Sequence, residues 1–440
     1  MLKYYIFLGI RGFRRNSIIT ALMILAIALG IGAGMTVITV VHAMSGDPMP
    51  GKSSRLFVPH LDPLPLNYSL KPSELNPSDY LTLQDAGALL DSKIPINQAA
   101  MGGGLLIAES TRGSALSFQV NGRYSTHGIF SLFGINFLRG SAWSAADDSS
   151  KARVIVISSK LSNHVFGDEN SVGKTIRIGA HDMTVTGVIG DWNPQPKFYA
   201  DPSGKVFGES DDFFIPLSTA VDLKLDTSGF MAYWGSGNPG DIANSLTDAS
   251  TSWLQFWVQL DSPEDVKIYA TYLRNYAENQ KRLGRFQRGG DSTYLYGLMS
   301  WLRHEKLIPS DVHLQLWLAM AFLFVCMVNI VALLLAKFLG RIGEISVRRA
   351  LGARRQDIFV QYGVEAGVIG VAGGLLGLAI AQAGLWSVRS RSSEYADIAH
   401  MDAFMVISTL VLAVAVATVA GIFPAWRACC VAPAMQLKSN

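Results

Sequence analysis

Cysteine is nearly absent from this sequence, and its distribution excludes one means of stabilising the long polar segment. The chain of 440 residues has three cysteines, Cys326, Cys429 and Cys430, and none of them lies between residues 44 and 311. That segment can therefore form no disulfide bond and must be held together by burial of apolar side chains. It is long enough for a substantial core, and we expect two subdomains within it.

Motifs for catalysis, nucleotide binding and metal binding are also missing. The sequence has no H-E-x-x-H, no G-x-S-x-G and no group of His and Cys at ligand spacing. Gly173-Lys174-Thr175 lacks the upstream glycine of a phosphate-binding loop, because Gly167 is one residue too far away. The sequence therefore predicts no catalytic residue, no metal ligand and no cofactor bound by this chain.

Long apolar runs are abundant, in contrast, and they set the fold class. Four runs, at residues 16–43, 312–338, 358–388 and 403–425, are each long enough to cross a bilayer core, which needs about 20 apolar residues. The segment 44–311 between the first two runs has a mixed, water-compatible composition. The sequence therefore predicts a membrane protein with four transmembrane α-helices in a 1 + 3 order and a large inserted domain.

Strand and helix signals alternate within the inserted segment, which predicts an α+β domain. Residues 251–260 are apolar and aromatic and predict a strand, and Ser262 with Pro263 then predicts the start of a helix that continues to about Leu283. Further strands are predicted at 153–157, 174–178 and 183–189, with a helix at 159–166.

Basic residues predict the orientation in the membrane. Short loops rich in Lys and Arg stay in the cytoplasm, and such residues concentrate in segments 1–15, 339–357 and 426–440 but not in 389–402. Both termini are therefore expected inside, and the inserted domain and loop 389–402 outside. The first run is too long for the apolar region of a signal peptide, so we interpret it as a retained anchor. The small net charge of +3 gives no indication of nucleic-acid binding.

Small residues in the first and third runs predict close packing of helices. The sequence leaves open whether this packing lies within one subunit or between two. Glu365, near the inner end of the third run, needs headgroup water or a partner, and an interfacial position is expected instead of a proton-relay role. The glycines concerned are Gly30, Gly34, Gly370, Gly373, Gly374 and Gly377.

The basic loop 339–357 has the pattern of a short amphipathic helix. Glu344 and Arg348 are four residues apart in the favourable order for an ion pair, and Gly352 suits a helix C-cap. The seven-residue recurrence of Arg341, Arg348 and Arg355 predicts one basic face. Charge and periodicity alone do not decide whether this face rests on anionic headgroups or docks a soluble partner.

The loop, the third run and the tail carry a specific resemblance. EISVRRALGARRQDI at 344–358 and GIFPAWRACCVAPAMQLK at 421–438 closely resemble the membrane subunits of the MacB and FtsX family of ABC transporters. Segments 130–140, 156–178 and 185–192 are similar to the MacB-type periplasmic domain. The resemblance covers nearly the whole chain.

This resemblance implies that loop 339–357 is the coupling segment, which in the family seats on the ATPase subunit. The family motif EI-x-VRRALGA corresponds to residues 344–353. The implied ATPase-coupling residues are Arg341, Glu344, Ile345, Val347, Arg348, Arg349, Leu351, Gly352, Ala353, Arg354 and Arg355.

The resemblance also implies a compartment and partners. It implies a permease subunit of the bacterial inner membrane that works with an ABC ATPase, which binds ATP and Mg²⁺, and with a second permease copy, identical or paralogous. MacB carries its ATPase domain at its own N-terminus, whereas fifteen residues precede the first run here. We therefore expect the ATPase to be a separate subunit. Whether a periplasmic adaptor and an outer-membrane channel take part stays open.

Three functions are compatible with the resemblance. They are export of a drug, peptide, lipid or toxin from the periplasm, release of lipoproteins as in Lol-type systems, and FtsX-like control of a cell-wall hydrolase. In each, the helices transmit movement from the ATPase to the outer domains. The large inserted domain favours export, because FtsX-type outer domains are much smaller. The substrate is not specified by the sequence.

Overall fold

The computed structural model describes residues 17–70, 75–109, 117–167, 170–200, 206–235, 245–305, 310–391, 401 and 403–429. The predicted segment 1–15, most of loop 389–402 and most of the tail 426–440 lie outside the described residues. The chain divides into two compact units, described separately below: a membrane unit of residues 1–46 and 308–440, and an inserted unit of residues 47–307.

The described part of the membrane unit consists of four long helices and one short helix. Span 3 packs against spans 1 and 4, and span 2 packs against the same two helices. Apolar side chains fill the centre of this unit and also cover its outside, as at Trp317 and Phe404, which suits contact with lipid. The helices are span 1 (Ser17–Ser45), span 2 (Ser310–Leu339), the loop helix (Ile342–Ala350), span 3 (Arg355–Arg391) and span 4 (Ala403–Cys429).

One mixed sheet of 13 strands runs through the described part of the inserted unit. Its main path has the order β13-β1-β12-β3-β4-β9-β6-β8-β5, in which β4–β9 and β6–β8 are parallel pairs and the others are antiparallel. The strands are β1 (Leu56–His60), β2 (Leu81–Thr82), β3 (Asn97–Glu109), β4 (Ser117–Ser125), β5 (Phe137–Gly140), β6 (Val154–Ser158), β7 (Thr175–Ile178), β8 (His181–Ile189), β9 (Phe213–Pro216), β10 (Thr227–Ser228), β11 (Ala232–Tyr233), β12 (Thr251–Gln259) and β13 (Tyr294–Gly297).

Helices cover both faces of the sheet, so that the central strand β12 is buried along its whole length. In β12, Phe256 and Val258 point into one hydrophobic cluster and Trp257 points into the other, as the alternation of side chains along a strand requires. The helices are Leu83–Leu90, Ile129–Phe133, Ala145–Ser150, Ser159–Phe166, Leu217–Asp222, Pro263–Arg282 and Leu298–His304, with 3-10 helices at Ser53–Arg55, Pro77–Asp79 and Gly290–Ser292.

Local sequence signals account for the ends of several elements. Ser262 and Asp265 form a capping box, in which the Asp265 backbone N–H donates to the Ser262 Oγ at 3.1 Å and the Ser262 N–H donates to the Asp265 carboxylate at 3.2 Å. The helix Pro263–Arg282 therefore begins where the sequence predicts. The 1 + 3 order of spans around an α+β domain is confirmed. The expected division of the inserted unit into two subdomains stays a prediction. One sheet runs through the described part of this unit.

Candidate functional site

The loop helix ends in a turn that the sequence requires. The backbone N–H of Leu351 donates to the Val347 carbonyl at 3.0 Å, and the N–H of Ala353 donates to the Arg348 carbonyl at 3.1 Å. Gly352 between them has a φ of +100°, a left-handed conformation that glycine adopts without the strain of a side chain. The bond from Ala353 to Arg348 across the left-handed Gly352 is that of a Schellman motif, and it confirms Gly352 as the residue that terminates the loop helix.

The same turn overturns one expectation. Arg341, Arg348 and Arg355 do not share a face of one helix, because the loop helix ends at Ala350 and Arg355 is the first residue of span 3. Arg341 precedes the loop helix and points inward. The seven-residue recurrence was therefore misleading, since it runs across the left-handed turn at Gly352.

One predicted ion pair is present on the loop helix. The Arg348 guanidinium lies 2.5 Å from the Glu344 carboxylate, and a second guanidinium nitrogen of Arg348 donates to the Gln361 side-chain oxygen at 3.0 Å. Gln361 lies in span 3, so Arg348 connects the loop helix to that span. Both ionised groups are half-exposed, and such pairs contribute no more than about 1 kcal/mol to stability.

A buried ion cluster lies where span 2 meets the loop helix. The Lys337 ammonium is 2.8 Å from the Glu365 carboxylate, and the Arg341 guanidinium is 3.2 Å from it. The ammonium also donates to the Thr20 hydroxyl of span 1 at 3.2 Å. The exposed fractions of the Lys337, Glu365 and Arg341 side chains are 0, 4 and 11%. We call Lys337, Arg341 and Glu365 the buried cluster; together with Thr20 it connects spans 1, 2 and 3.

This cluster corrects the interfacial position expected for Glu365. Its carboxylate is buried against two cations, which are the partners that such an acid needs away from headgroup water. Arg341 was expected on the basic face of the loop, and Lys337, four residues before it, had no predicted role. Their spacing places them on the same side of a helical turn, which is the signal in the sequence that could have indicated a shared partner.

Part of the loop forms an exposed surface with both apolar and basic character. Val347 and Leu351 are 57 and 83% exposed, and the side chains of Arg354 and Arg355 are exposed as well. We call these four residues the loop surface. These two aliphatic side chains are available to pack against another molecule.

The remaining predicted loop residues are accounted for as follows. Ile345 is buried, and Ala353 packs partly against the hydrophobic cluster of the membrane unit, so both hold the loop helix in place. The side chain of Arg349 lies outside the described ones.

The glycines of span 3 allow close contact with neighbouring helices of the same chain. A Cβ atom placed at Gly370 would lie 2.8 Å from the Cβ of Ala417, so the two helices approach too closely for a side chain there. Gly370 and Gly374 face span 4, and Gly373 and Gly377 face span 1.

The two predicted packing glycines of span 1 differ from each other. A Cβ atom at Gly30 would lie 2.9 Å from the Cβ of Cys326 in span 2. Gly34 has no other atom of the described chain within 4 Å of such a position. Gly30 therefore contributes to packing within the chain, and Gly34 does not.

Two protein-family models match this chain. Residues 20–276 match the model described as the MacB-like periplasmic core domain, and residues 317–433 match the FtsX-like permease C-terminal model. The first match covers most of span 1 and the inserted unit up to residue 276, and the second covers most of the last three spans.

Several relatives match part of this chain. The macrolide export ATP-binding/permease protein MacB of Rhodopirellula baltica is 25% identical over 247 residues, 54% of this chain and 34% of that protein. The protein of the same name from Salmonella typhimurium is 23% identical, over 60% of this chain and 35% of its own length. That from Neisseria gonorrhoeae is 23% identical, over 69% of this chain and 41% of its own length. The chain thus spans 34 to 41% of these relatives.

Two solved structures are similar to part of this chain, with low TM-scores. The periplasmic region of MacB from Actinobacillus actinomycetemcomitans gives a TM-score of 0.37 at 14% identity, covering 59% of this chain and 95% of that one. The extracellular domain of the ABC-type transporter YknZ from Gram-positive bacteria gives a TM-score of 0.34 at 13% identity, covering 55% of this chain and 99% of that one.

Proposed function

Because this chain belongs to the family that combines a MacB-like periplasmic core domain with an FtsX-like permease domain, we propose that it is the permease subunit of a MacB-type ABC transporter. In this proposal a separate ATPase subunit binds ATP and Mg²⁺ and docks on the loop surface. Its cycle moves two permease copies, identical or paralogous, against each other. The movement of their inserted domains drives export from the periplasm.

The loop surface is the observation that carries this proposal. Val347 and Leu351 offer an apolar contact, and Arg354 and Arg355 beside them offer positive charge. A partner groove with an apolar floor and acidic rim complements such a surface. Short basic loops are retained in the cytoplasm, the compartment that holds ATP. The proposed location is therefore the bacterial inner membrane, with both termini inside.

The contacts of the loop helix supply a route for movement. Arg348 links it to span 3 through Gln361, and the buried cluster links its base to spans 1, 2 and 3. Charged hydrogen bonds of this kind are short and directional, so a displacement of the loop helix is passed to the spans instead of being absorbed by a flexible loop. The proposed residues for this transmission are Arg341, Arg348, Lys337 and Glu365.

Export is favoured over the other two functions by the inserted unit. Residues 20–276 match the MacB-like model, and the named relatives are macrolide export proteins. We propose export of a drug, peptide, lipid or toxin from the periplasm, with an adaptor and outer-membrane channel as further partners. A cell-wall hydrolase or a lipoprotein that co-purifies with the chain would instead favour the FtsX-like or Lol-type function.

Charge reversal at Arg354, a residue of the loop surface, tests the docking proposal. Arg354→Glu changes an exposed side chain, so expression and membrane insertion should change little. Loss of one partner at a desolvated interface costs roughly 2–5 kcal/mol, so the amount of ABC ATPase that co-purifies should fall at least about 30-fold.

Arg427→Glu is the matched control, because Arg427 is also exposed and belongs to a basic segment predicted inside. Mass spectrometry of chains purified from native membranes measures the ATPase in each sample. If Arg354→Glu and Arg427→Glu retain equal amounts, the loop helix is a lipid-surface helix and the docking proposal is wrong.

A further inference from the structure

A group of metal-ligating side chains lies in the inserted unit, away from the loop surface. Asp79 ends the 3-10 helix Pro77–Asp79, His304 ends the helix Leu298–His304, and Glu305 follows it. One ligand atom from each of these residues lies within 4.8 Å of those from the other two. Residues from two separated parts of the chain thus converge on one point.

The distances within this group suit a shared ion. The Nε2 atom of His304 lies 3.1 Å from each carboxylate oxygen of Asp79. Two ligand atoms on a tetrahedral Zn²⁺ lie about 3.3 Å apart, given Zn–N and Zn–O bonds of about 2.0–2.2 Å. Small adjustments of the side chains therefore allow one ion to contact both residues.

A fourth residue holds the first carboxylate in place. The Nδ1 atom of His60, at the end of β1, lies 2.7 Å from the Asp79 Oδ1, and the side chains are 7 and 4% exposed. Metal-ligating carboxylates are commonly oriented by such outer hydrogen bonds. The site is also open on one side, because His304 is 33% exposed and Glu305 is partly exposed. An ion can therefore enter and keep a water ligand.

We propose that Asp79, His304 and Glu305 bind a divalent transition-metal ion, with Zn²⁺ the best match, and that His60 orients Asp79. An imidazole with two carboxylates favours such an ion over Mg²⁺ or Ca²⁺, which take oxygen ligands almost exclusively. The ion joins the helix Leu298–His304 to the 3-10 helix Pro77–Asp79. Because Ser310 begins span 2 shortly after Glu305, the metal stiffens the end of the inserted unit from which the chain continues into the membrane.

Metal titration of the full chain tests this site. The protein is purified in detergent with an affinity tag that contains no histidine, treated with EDTA, and titrated with Zn²⁺ in competition with a chromophoric chelator. We expect one Zn²⁺ per chain, a higher unfolding temperature with Zn²⁺, and no equivalent effect of Mg²⁺. His304→Gln and Glu305→Gln, both at partly exposed positions, should each weaken binding by about 10- to 100-fold.

His127→Gln is the matched control. His127 also contacts a carboxylate, that of Asp148 at 2.8 Å, but the described residues provide no third ligand there. This variant should bind Zn²⁺ like the unaltered chain. The proposal is overturned if the chain binds no stoichiometric Zn²⁺, if His304→Gln and Glu305→Gln bind it normally, or if His127→Gln loses it equally. The four residues then form a hydrogen-bonded cluster without a metal.

Discussion

Replacing Glu365 by glutamine removes the one negative charge of the buried cluster while keeping the size of the side chain. Lys337 and Arg341, whose side chains are 0 and 11% exposed, then remain as two cations without a counter-charge. Removing one partner of a buried ion pair typically costs 3–5 kcal/mol, because the other charge stays desolvated. We therefore expect Glu365→Gln to lower the free energy of unfolding of the membrane unit by about this amount.

Glu344→Gln provides the matched comparison in the same unit. It also neutralises a glutamate that pairs with an arginine, but the pair is half-exposed, so the expected loss is at most about 1 kcal/mol. Denaturation in mixed micelles, followed by tryptophan fluorescence, measures both variants. If Glu365→Gln is no more destabilising than Glu344→Gln, the carboxylate reaches water and the buried cluster does not anchor the loop helix.

The other predictions concern packing, topology and nucleotide use. Gly370→Ala places a methyl group 2.8 Å from the Ala417 Cβ, so it should lower the free energy of unfolding by roughly 1–3 kcal/mol in the same denaturation assay. In Gly367→Ala the new methyl group meets no atom within 4 Å, so this variant should be neutral or more stable by up to about 1 kcal/mol. Reporter domains inserted at Gly284 and at Gly352 should lie in opposite compartments, and a shared compartment contradicts the orientation. The purified chain alone should hydrolyse no ATP, and turnover that persists after contaminating ATPases are removed contradicts a separate ATPase subunit.

The sequence was informative wherever the signal was local. Long apolar runs predict the four spans, since length and composition decide whether a helix can cross a bilayer. The capping residues Ser262 and Asp265 predict the start of a helix, and Gly352 predicts the end of the loop helix, because each satisfies backbone groups within a few residues. The strand β12 was predicted from its apolar and aromatic composition.

Contacts between distant residues could not be predicted in this way. Glu365 lies 24 residues from Arg341, and its burial depends on how span 3 packs against spans 1 and 2. His60 and His304 come together because β1 pairs with β13, which places His60 opposite Tyr294. No spacing in one sequence reveals that pairing.

Photo-crosslinking from the loop surface tests the central claim most directly. A photoreactive amino acid at Leu351, which is 83% exposed, is compared with one at Trp426, which is exposed near the C-terminal end of span 4. In intact cells, the account predicts a cross-link from position 351 to an ABC ATPase and none from position 426. Cross-links from position 351 to lipid alone, or equal ATPase cross-links from both positions, would contradict docking of the ATPase on the loop surface.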